Sequence, residues 1–416
     1  MALAKLRSDL IAALDVGSTK ICCFIAQREE GGAPRVVGIG HQVSRGIRSG
    51  AITDMEQARN SILAAVQAAE EMAGDTIREV FINVSTGQPS SKTFGVEVPV
   101  TGHEVSPGDV RRVLDQGRQS LNGGDREVIH SIPVGFTVDG SNGIQDPRGM
   151  YGQRLGVHMH IVSAAAGPVR NLANCVAGCH LDVAAFVVSP FASGLSSLVE
   201  DEMELGATLI DMGGGTTSIA VFSEGELIFT DSIAIGGQHV TTDIAHGMST
   251  PLAHAERMKT LYGSAIASTS DSRAVIDVPQ IGDDSGAAPN HVPKSLLVGI
   301  IQPRIEETFE LVRDRLEAAG LANGAGRRVV LVGGASQLHG VRDVAAQVLD
   351  KQARLGRPAR IAGLAEATAG PAFATCAGLL NYALSNRALT TVPTWSKTHE
   401  TRGLLGRIGH WLEENF

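Results

Sequence analysis

The sequence predicts an α/β protein built from two related halves, and three stretches support that prediction. Residues 209–223 combine an apolar strand, an aspartate, a glycine-rich turn and a second strand, and residues 10–25 repeat this order. Residues 328–332 form a further apolar strand that runs into a glycine turn before a helical segment. A duplicated hairpin with a later strand–glycine–helix segment indicates two homologous units that face a common site.

The stretch at 209–223 has the chemistry of an anion-binding turn. Its glycines allow a sharp backbone turn whose N–H groups can approach a phosphate, and its threonines add hydroxyl donors. These residues are Gly213, Gly214, Gly215, Thr216 and Thr217. Asp211 ends the first strand beside this turn, so a cation must separate it from a phosphate, and hydrated Mg²⁺ is expected. An ordinary hairpin remains the alternative for one such motif alone.

Residues 10–25 repeat the motif with a shorter loop. Asp15 corresponds to Asp211, and Gly17, Ser18 and Thr19 correspond to the glycine–threonine turn. In both copies a turn, a further strand and a helix follow, so the repeat extends beyond the loops. Two such hairpins, one from each half, can close on a single nucleotide.

Composition limits the classes of protein to which the chain can belong. Its 416 residues, 43% of them hydrophobic, fit two or more domains. The formal net charge of −9 argues against a general nucleic-acid binder, which needs cations to neutralise phosphates. Cys175 and Cys179 are four residues apart, which is the spacing of one helical face and not that of a zinc site. The five cysteines are therefore expected to be reduced thiols in a cytoplasm.

Neither a signal peptide nor a membrane span is expected. The first nine residues contain no apolar core. The most apolar long run, at 183–199, contains Pro190 and four serines. This run therefore predicts a buried strand followed by a helix.

The first 82 residues continue from the hairpin into a strand at 36–43 and an alanine-rich helix at 54–72. Thr53 or Asp54 is the expected N-cap of this helix, with Gln57 three residues after Asp54.

A smaller mixed module at 83–163 then interrupts the first half. Alternating and helical patterns in it predict strands at 94–100, 128–136 and 155–162 and a helix at 106–120. His158 and His160 alternate along the last strand and are expected on its surface rather than as metal ligands.

The first half resumes with a helix at 167–179, and the second half begins near residue 205. A helix follows Gly236, and on the next helix Glu256 and Lys259 lie three residues apart on one face, where an exposed ion pair is the simplest interpretation. Residues 264–293 predict weakly packed strands and loops, and residues 296–319 predict a long amphipathic helix.

The strand at 328–332 ends in Gly333, Gly334, Ala335 and Ser336, with a helix from Gly340. A glycine turn between a strand and a helix lets a ligand lie against the backbone, so this is the third candidate nucleotide loop. Residues 365–383 predict one final helix.

The C-terminal residues predict a linker at 385–402 and an amphipathic helix at 403–416. The large apolar residues on one face of this helix are Leu404, Leu405, Ile408, Trp411, Leu412 and Phe416. Such a face is typical of an anchor that lies on a membrane surface. The alternative is a terminal helix that packs on the protein's own core.

Three motifs in one order, DVG at 15–17, DMGGGT at 211–216 and VGGA at 332–335, resemble the two phosphate motifs and the adenosine motif of the actin, Hsp70 and sugar-kinase superfamily. Within that superfamily the chain resembles the FtsA family of bacterial cell-division proteins. The interrupting module carries the closest local likeness, including IHSIP at 129–133 and DPRGM at 146–150.

This resemblance implies an actin-like fold, the duplicated ribonuclease-H-like arrangement of two lobes around a nucleotide cleft, with a small α+β subdomain inserted in the first lobe. The implied parts are a first core of 1–82, 164–204 and 366–384; the insertion at 83–163; a second core of 205–240 and 299–365; a small subdomain at 241–298; and the segments 385–402 and 403–416.

The resemblance also implies that ATP and Mg²⁺ bind between the lobes. Asp15 and Asp211 would hold Mg²⁺ through water, and Glu256 and Lys259 would flank the adenine and ribose. The implied nucleotide contacts are Asp15, Gly17, Ser18, Thr19, Lys20, Asp211, Gly213, Gly214, Gly215, Thr216, Thr217, Gly236, Glu256, Lys259, Gly333, Gly334, Ala335 and Ser336.

The implied partners follow from the same resemblance. The C-terminal peptide of the tubulin-like ring protein FtsZ would dock on 241–298, where an acidic peptide would meet Arg257, Lys259, Arg273 or Lys294. Copies of the chain would self-assemble, and other division proteins would bind 83–163. The tail would bind lipid on the cytoplasmic face of the bacterial inner membrane at the division site.

Two residues depart from the pattern of the resembling families: Ala335 narrows the backbone freedom of the adenosine loop, and Ser189 lowers the expected rate of hydrolysis. Ala335 stands where the adenosine loop often has a third glycine, and Ser189 stands where relatives that hydrolyse ATP briskly often have an acidic residue before proline. Weak or vestigial ATPase activity is therefore the most that is expected. A small-molecule kinase would need a catalytic carboxylate for which no candidate stands out, and an Hsp70-type chaperone would need a long peptide-binding domain after residue 383.

Overall fold

The computed structural model describes residues 10–28, 34–102, 104–119, 124–282, 290–322, 326–359 and 361–385. The strands are β1 (Leu10–Val16), β2 (Lys20–Gln27), β3 (Arg35–Val43), β4 (Ile47–Arg48), β5 (Ala51–Ile52), β6 (Glu79–Val84), β7 (Ser90–Pro99), β8 (Arg126–Val138), β9 (Ser141–Ile144), β10 (Arg154–Ala165), β11 (Asp182–Val188), β12 (Ala207–Met212), β13 (Thr217–Ser223), β14 (Glu226–Ile233), β15 (Val275–Val278), β16 (Asn290–Pro293), β17 (Arg328–Val332) and β18 (Gln352–Leu355). The helices are α1 (Met55–Ala73), α2 (Pro107–Gln119), α3 (Ala166–Ala177), α4 (Ser189–Ser197), α5 (Glu200–Leu205), α6 (Gly237–Gly247), α7 (Leu252–Tyr262), α8 (Lys294–Ala318), α9 (Val341–Leu349) and α10 (Ala374–Leu384).

Two sheets with the same strand order form the centres of two lobes. In the described residues, the first sheet has the order β3-β2-β1-β6-β11 and the second the order β14-β13-β12-β17-β18. Each sheet contains an antiparallel three-stranded meander followed by two parallel strands. The internal repeat predicted from the two hairpins is therefore confirmed over the whole of both sheets.

The first sheet is covered by helices on both faces. Helix α1 packs so closely on β3 that a Cβ at Gly40 would lie 1.9 Å from the Ala65 carbonyl oxygen. Asp54 is the N-cap of α1, since its carboxylate accepts the Gln57 N–H at 3.0 Å. Helices α4 and α10 pack against each other in the apolar core that the two sheets share. This shared core holds the two lobes together around their cleft.

The interrupting module is an antiparallel sheet of order β7-β10-β8-β9 with α2 on one face. Its predicted helix and its strands are confirmed, and β8 and β10 continue past the predicted ends to reach the first lobe. The prediction that both histidines of β10 lie on the surface is wrong for His160, which is fully buried. The reason is that His160 shares a face of β10 with Val162 and pairs with Ile132 on β8, and both of these residues belong to the core that the two sheets share.

The final predicted helix is shorter than the sequence pattern indicated. Residues Glu366–Thr368 and Pro371–Phe373 form two 3-10 turns, and α10 begins only at Ala374. Pro371 has no N–H to donate and disfavours helical backbone in the residue before it. One continuous helix over 365–383 was therefore a wrong prediction.

The apolar run at 183–199 is a strand followed by a helix, as predicted. Within the described ranges, no helix has the length and apolarity needed to cross a bilayer. The five cysteines are free thiols, and all are buried. The predicted tail at 403–416 lies outside the described residues.

Candidate functional site

A cavity of about 240 Å³ lies between the lobes where the three glycine loops meet. The structure brings together most of the loop residues singled out in the sequence. The loop residues that line this cavity are Asp15, Gly17, Ser18, Thr19, Lys20, Asp211, Gly213, Gly214, Gly215, Thr216, Gly333 and Gly334. Both hairpin loops are closed by the same hydrogen bond, from the glycine N–H to the carbonyl three residues later, at 3.1 Å for Gly17 and 2.9 Å for Gly213.

A second cavity of about 530 Å³ continues from the first. Thr19, Gly214 and Gly334 line both, so the two form one elongated groove. The far end of the groove is bounded by α6, α7 and the third loop, and Glu256, Lys259 and Ala335 lie there. The groove therefore has a polar, glycine-walled end and a wider end, which suits a phosphate chain and a nucleoside, respectively.

Residues 17–20 form the first hairpin loop, and residues 213–216 form the second. The glycines of the second loop are required by close packing. None of Gly213, Gly214 and Gly215 has a positive φ. The expected sharp turn that only glycine can adopt is therefore not the reason for glycine at these positions. A Cβ at Gly215 would lie 2.7 Å from Ser49 Cα, and one at Gly214 would lie 2.3 Å from Thr19 Cγ2. The first and second loops thus touch across the cleft, and only glycine leaves room for both.

Two buried carboxylates face the phosphate end. Burial raises the pKa of Asp15 to about 7, the Lys20 ammonium partly opposes that rise, and the Asp211 charge adds to it. Burial also raises the pKa of Asp211, whose carboxylate accepts hydrogen bonds from Ser193 Oγ at 2.7 Å and Thr375 Oγ1 at 3.1 Å. A cation between the two carboxylates would remove the cost of burying both charges.

The donor set fits a hydrated magnesium ion. Among the described residues, no group of three or more His, Cys, Asp or Glu side chains forms a metal cage. Mg²⁺ instead keeps several waters and takes one or two carboxylates together with ligand phosphates. Asp15 and Asp211 are two such carboxylates at the phosphate end, so the site fits a metal that arrives with a nucleotide.

Lys20 is held in place by contacts on the first lobe. Its Nζ donates to the Ala372 carbonyl at 2.7 Å and lies 3.3 Å from the centre of the Phe373 ring. The cation–π contact and the hydrogen bond fix the ammonium beside the two loops. A fixed positive charge at this point favours a polyanionic ligand.

Glu256 and Lys259 form part of a hydrogen-bonded cluster at the nucleoside end. Lys259 Nζ lies 2.7 Å from Glu256 Oε2, 2.8 Å from Thr241 Oγ1 and 3.0 Å from the Gly237 carbonyl oxygen. The simple exposed ion pair is thus only part of the arrangement, because Lys259 also ties α7 to the start of α6. Polar atoms so arranged can bind ribose hydroxyls.

Three predicted contacts lie off the groove. Thr217 is fully buried, with no partner for its hydroxyl among the described residues. Ser336 is buried and donates to the Gly333 carbonyl at 2.7 Å, which shapes the third loop. Gly236 packs on the second loop, since a Cβ there would lie 2.6 Å from the Gly213 carbonyl oxygen. These residues support the loops from behind instead of facing a ligand.

Residues that the sequence did not single out as site residues also line the phosphate end, namely Asn83, Ser85, Ser218, Ala372, Phe373 and Thr375. Asn83 donates to Ser189 Oγ at 3.1 Å and accepts the Val16 N–H at 2.7 Å. Both Asn83 and Ser189 stand at the ends of parallel strands, where ligands of α/β sheets usually bind, and this position was the signal that could have revealed Asn83. Neither side chain can act as a general base.

Two family models match the chain. The model "Cell division protein FtsA" matches residues 208–378, and the model "SHS2 domain inserted in FTSA" matches residues 86–163. Among curated proteins, the cell division protein FtsA of Rhizobium meliloti (strain 1021) is 44% identical over 99% of this chain and 96% of its own. The protein of the same name from Escherichia coli (strain K12) is 30% identical over 98% of both chains.

Solved structures with a similar fold share little sequence. The PilM-PilN type IV pilus biogenesis complex contains a chain that is 16% identical, with a TM-score of 0.62 over 89% of this chain and 97% of its own. MreB5 of Spiroplasma citri, in a crystal structure bound to AMPPNP, is 12% identical, with a TM-score of 0.54 over 90% and 96% of the two chains.

Proposed function

Because the chain belongs to the FtsA family of cell division proteins and has an actin-like fold with the family's SHS2 insertion, we propose that it is an ATP-binding adaptor that ties the FtsZ ring to the cytoplasmic membrane. It self-assembles and recruits later division proteins through residues 83–163. It acts on the cytoplasmic face of the bacterial inner membrane at the division site, and turnover of ATP is slow and secondary to binding.

The observation that supports nucleotide binding most directly is the convergence of three separate loops on one groove. Asp15, Asp211 and Gly334 are far apart in sequence yet line the same cavity. The fixed ammonium of Lys20 and the raised pKa values of the two aspartates indicate a site that becomes favourable when a polyanion and Mg²⁺ arrive together. Mg²⁺, when bound, would neutralise phosphate charge there.

Titration calorimetry with Mg·ATP tests the nucleotide site. A Cβ at Gly334 would meet only Ala372 Cβ, at 4.0 Å, so Gly334→Val should fold normally while its side chain fills the groove. We expect this variant to lose measurable binding and Asp211→Asn to weaken Mg·ATP far more than ATP in EDTA. Gly135→Val on β8, where a Cβ meets nothing within 4 Å, is the matched control. Unchanged affinity in both site variants would exclude this groove.

Exposed apolar and basic residues support residues 241–298 as the docking face for the FtsZ peptide. Leu252, Leu261, Val275 and Ile281 are each more than half exposed. Of the four cations named from the sequence, Lys259 is engaged in the groove and Lys294 pairs with Asp271 at 3.0 Å. Among the described residues, no ion pair involves the remaining two, Arg257 and Arg273. An acidic peptide would therefore meet these two arginines first.

Fluorescence anisotropy with a synthetic FtsZ C-terminal peptide tests the docking face. The double variant Arg257→Glu and Arg273→Glu should weaken peptide binding by at least tenfold because it replaces attraction with repulsion. Arg342→Glu on α9 is the control, since Arg342 already pairs with its neighbour Asp343. Retained binding by the double variant would move the docking face elsewhere, first of all to residues 83–163.

A further inference from the structure

The inserted module begins only a few residues from the candidate nucleotide cavity. Asn83 and Ser85 line the cavity, and β7, the first strand of the module, begins at Ser90. The segment between them is tightly packed, because a Cβ at Gly87 would lie 2.9 Å from the backbone nitrogen and oxygen of Ala165 at the end of β10. A displacement of the first-lobe residues that line the cavity is therefore transmitted directly to the start of β7.

The start of β7 is also fastened to the second lobe. Ser91 Oγ accepts the Thr230 N–H at 2.8 Å and donates to the Thr230 carbonyl at 3.1 Å, and Ser232 Oγ donates to the Pro89 carbonyl at 3.3 Å. Thr230 is fully buried on β14. We refer to these contacts of Pro89 and Ser91 with β14 as the latch.

The latch lies one strand away from the opposite wall of the cavity. Ser232 on β14 pairs with Ser218 on β13, and Ser218 lines the cavity beside the second loop. Neighbouring strands in a ladder move together, since their hydrogen bonds fix the distance between them. Movement of the second loop thus reaches the latch through β13 and β14.

His130 on β8 connects the module to the first-lobe wall by another route. Its Nε2 accepts the Val188 N–H at 3.0 Å, and the next residue along the chain, Ser189, lines the cavity. Burial lowers the pKa of His130 to about 3, so the ring is neutral and Nε2 is free to accept. The ring edge packs against Phe191 with 5.3 Å between centroids, which holds the imidazole in this orientation.

We propose that the inserted module is fastened to both walls of the nucleotide groove, so that nucleotide in the groove and a protein bound to the module each change the affinity of the other. His130 and Ser91 are positioning residues in this arrangement, since neither lines the groove. The inference rests on the proposed nucleotide site. Coupling between two sites is reciprocal: if Mg·ATP orders the module, a partner that prefers the ordered module must tighten Mg·ATP binding.

Hydrogen exchange of the full chain with and without Mg·ATP tests the coupling. We expect Mg·ATP to slow amide exchange at the start of β7 and in β8 around His130. Ser91→Ala should remove most of this nucleotide-dependent protection and weaken Mg·ATP by about 2- to 10-fold, the range for one lost hydrogen-bonded contact. Ser141→Ala, an exposed serine on β9 at the far edge of the module sheet, should keep both the protection and the affinity.

His130 variants separate positioning from packing. His130→Phe keeps an aromatic ring against Phe191 and removes the acceptor for Val188, whereas His130→Gln keeps a side-chain acceptor. Loss of nucleotide-dependent protection of β8 in the phenylalanine variant, with recovery in the glutamine variant, supports the proposal. Equal protection in all His130 variants and in Ser91→Ala would overturn it.

Calorimetry on the same samples distinguishes a failure of the proposed coupling from a failure of the proposed nucleotide site. If the native chain binds Mg·ATP and exchange in β7 and β8 does not change, the coupling is refuted and the nucleotide site stands. If the native chain binds no Mg·ATP, the proposed function itself is wrong and the coupling falls with it.

Discussion

Gly214 and Gly215 are neighbours in the second loop, but different atoms of the first lobe press on them. A Cβ at Gly215 would meet the Ser49 backbone, with 2.8 Å to its nitrogen, as well as Ser18 Oγ at 2.6 Å. A Cβ at Gly214 would meet the exposed Thr19 side chain, with its methyl group nearest. The Ser49 backbone lies in the short turn between β4 and β5 and cannot move without displacing both strands, whereas a side-chain methyl can rotate. The two glycines therefore differ in how strictly they are required.

The first prediction follows from this difference. Gly215→Ala should lower Mg·ATP affinity by more than tenfold because it separates the two loops, while Gly214→Ala should have a several-fold effect. Thr19→Ser removes the opposing methyl group and keeps the hydroxyl, so it should restore binding to the Gly214→Ala variant and leave the Gly215→Ala variant impaired. Titration calorimetry measures all four proteins. Equal losses in both single variants would contradict this account of the loop.

Helices α4 and α10 cross at a point where only glycine fits. A Cβ at Gly378 would lie 1.7 Å from the Ala192 carbonyl oxygen, so the two backbones are nearly in contact. Ser193, next to Ala192, donates to Asp211, and Thr375 of α10 donates to the same carboxylate oxygen. The crossing of the two helices therefore fixes the orientation of a predicted magnesium-binding carboxylate.

The second prediction concerns this crossing. Gly378→Ala should force the helices apart and lower the free energy of unfolding by about 1–3 kcal/mol or more, with weaker Mg·ATP binding as a second effect. Gly299→Ala on α8 is the control, because a Cβ there meets nothing within 4 Å and alanine favours a helix. Thermal unfolding should show a lower midpoint for the first variant and an equal or higher one for the second. A stable Gly378→Ala protein would show that the helices can separate freely.

Helix α2 of the module begins with a reciprocal cap. Ser106 N–H donates to Asp109 Oδ2 at 3.0 Å, Ser106 Oγ donates to the same atom at 2.6 Å, and Thr101 N–H donates to Oδ1 at 3.2 Å. Led by the Ser106 hydroxyl, and with Arg112 adding its charge, these contacts lower the pKa of Asp109 to about 2. The ionised carboxylate thus stabilises the start of α2.

The third prediction is the pH dependence of this cap. A pKa lower in the folded state than in the unfolded chain means that the stabilisation is complete above about pH 4 and is lost as pH falls towards 2. Asp109→Asn should speed amide exchange in α2 at pH 6, as expected for about 1 kcal/mol of lost capping. The difference from the native protein should shrink as the pH is lowered through 4 to 3. A difference that is independent of pH would show that the charge is not involved.

At the scale of the whole molecule, the two lobes meet through side chains as well as through α4 and α10. Glu202 on α5 is buried and accepts from Arg354 on β18, at 2.8 Å from Nε to Oε1, and Arg328 on β17 lies 3.5 Å away. Burial opposes ionisation of Glu202, but the hydrogen bonds from Arg354 and the Val199 N–H, together with the charges of both arginines, lower its pKa overall. This cluster joins α5, which connects the two lobes, to β18, the edge strand of the second sheet that lies opposite β14.

The fourth prediction concerns residues 403–416, for which the sequence predicts an amphipathic membrane anchor. Truncation after Arg402, or Trp411→Glu, should release the chain from lipid vesicles without a change in Mg·ATP affinity, because the predicted apolar face would supply most of the membrane binding. Glu414→Gln on the polar face should keep membrane binding. Conditions that favour assembly should strengthen vesicle binding of the native chain, since many tails on one polymer raise the effective concentration. Flotation of the truncated chain with vesicles would place the anchor elsewhere.

By itself the sequence determined the duplicated α/β architecture, the inserted module and the order of the three loops. These features are local: apolar strands, glycine turns and an N-cap such as Asp54 express backbone and side-chain preferences within a few residues. The family likeness carried by the loops and the module led to the actin-like fold. The repeat predicted that the equivalent loops at Asp15 and Asp211 face each other, whereas the family likeness added Gly334 of the third loop to the same groove.

Only the tertiary structure decided which polar residues face the groove and which lie behind it. Thr217 and Ser336 are buried supports, and Asn83 and Ser218 line the cavity. His160 is fully buried on β10, with its Nδ1 at 3.1 Å from Thr93 Oγ1 of β7. Local pattern places a side chain on one face of a strand, but the element that covers that face comes from a distant part of the chain. Ser91 and Thr230 meet for the same reason: their contact depends on how the module lies on the second lobe.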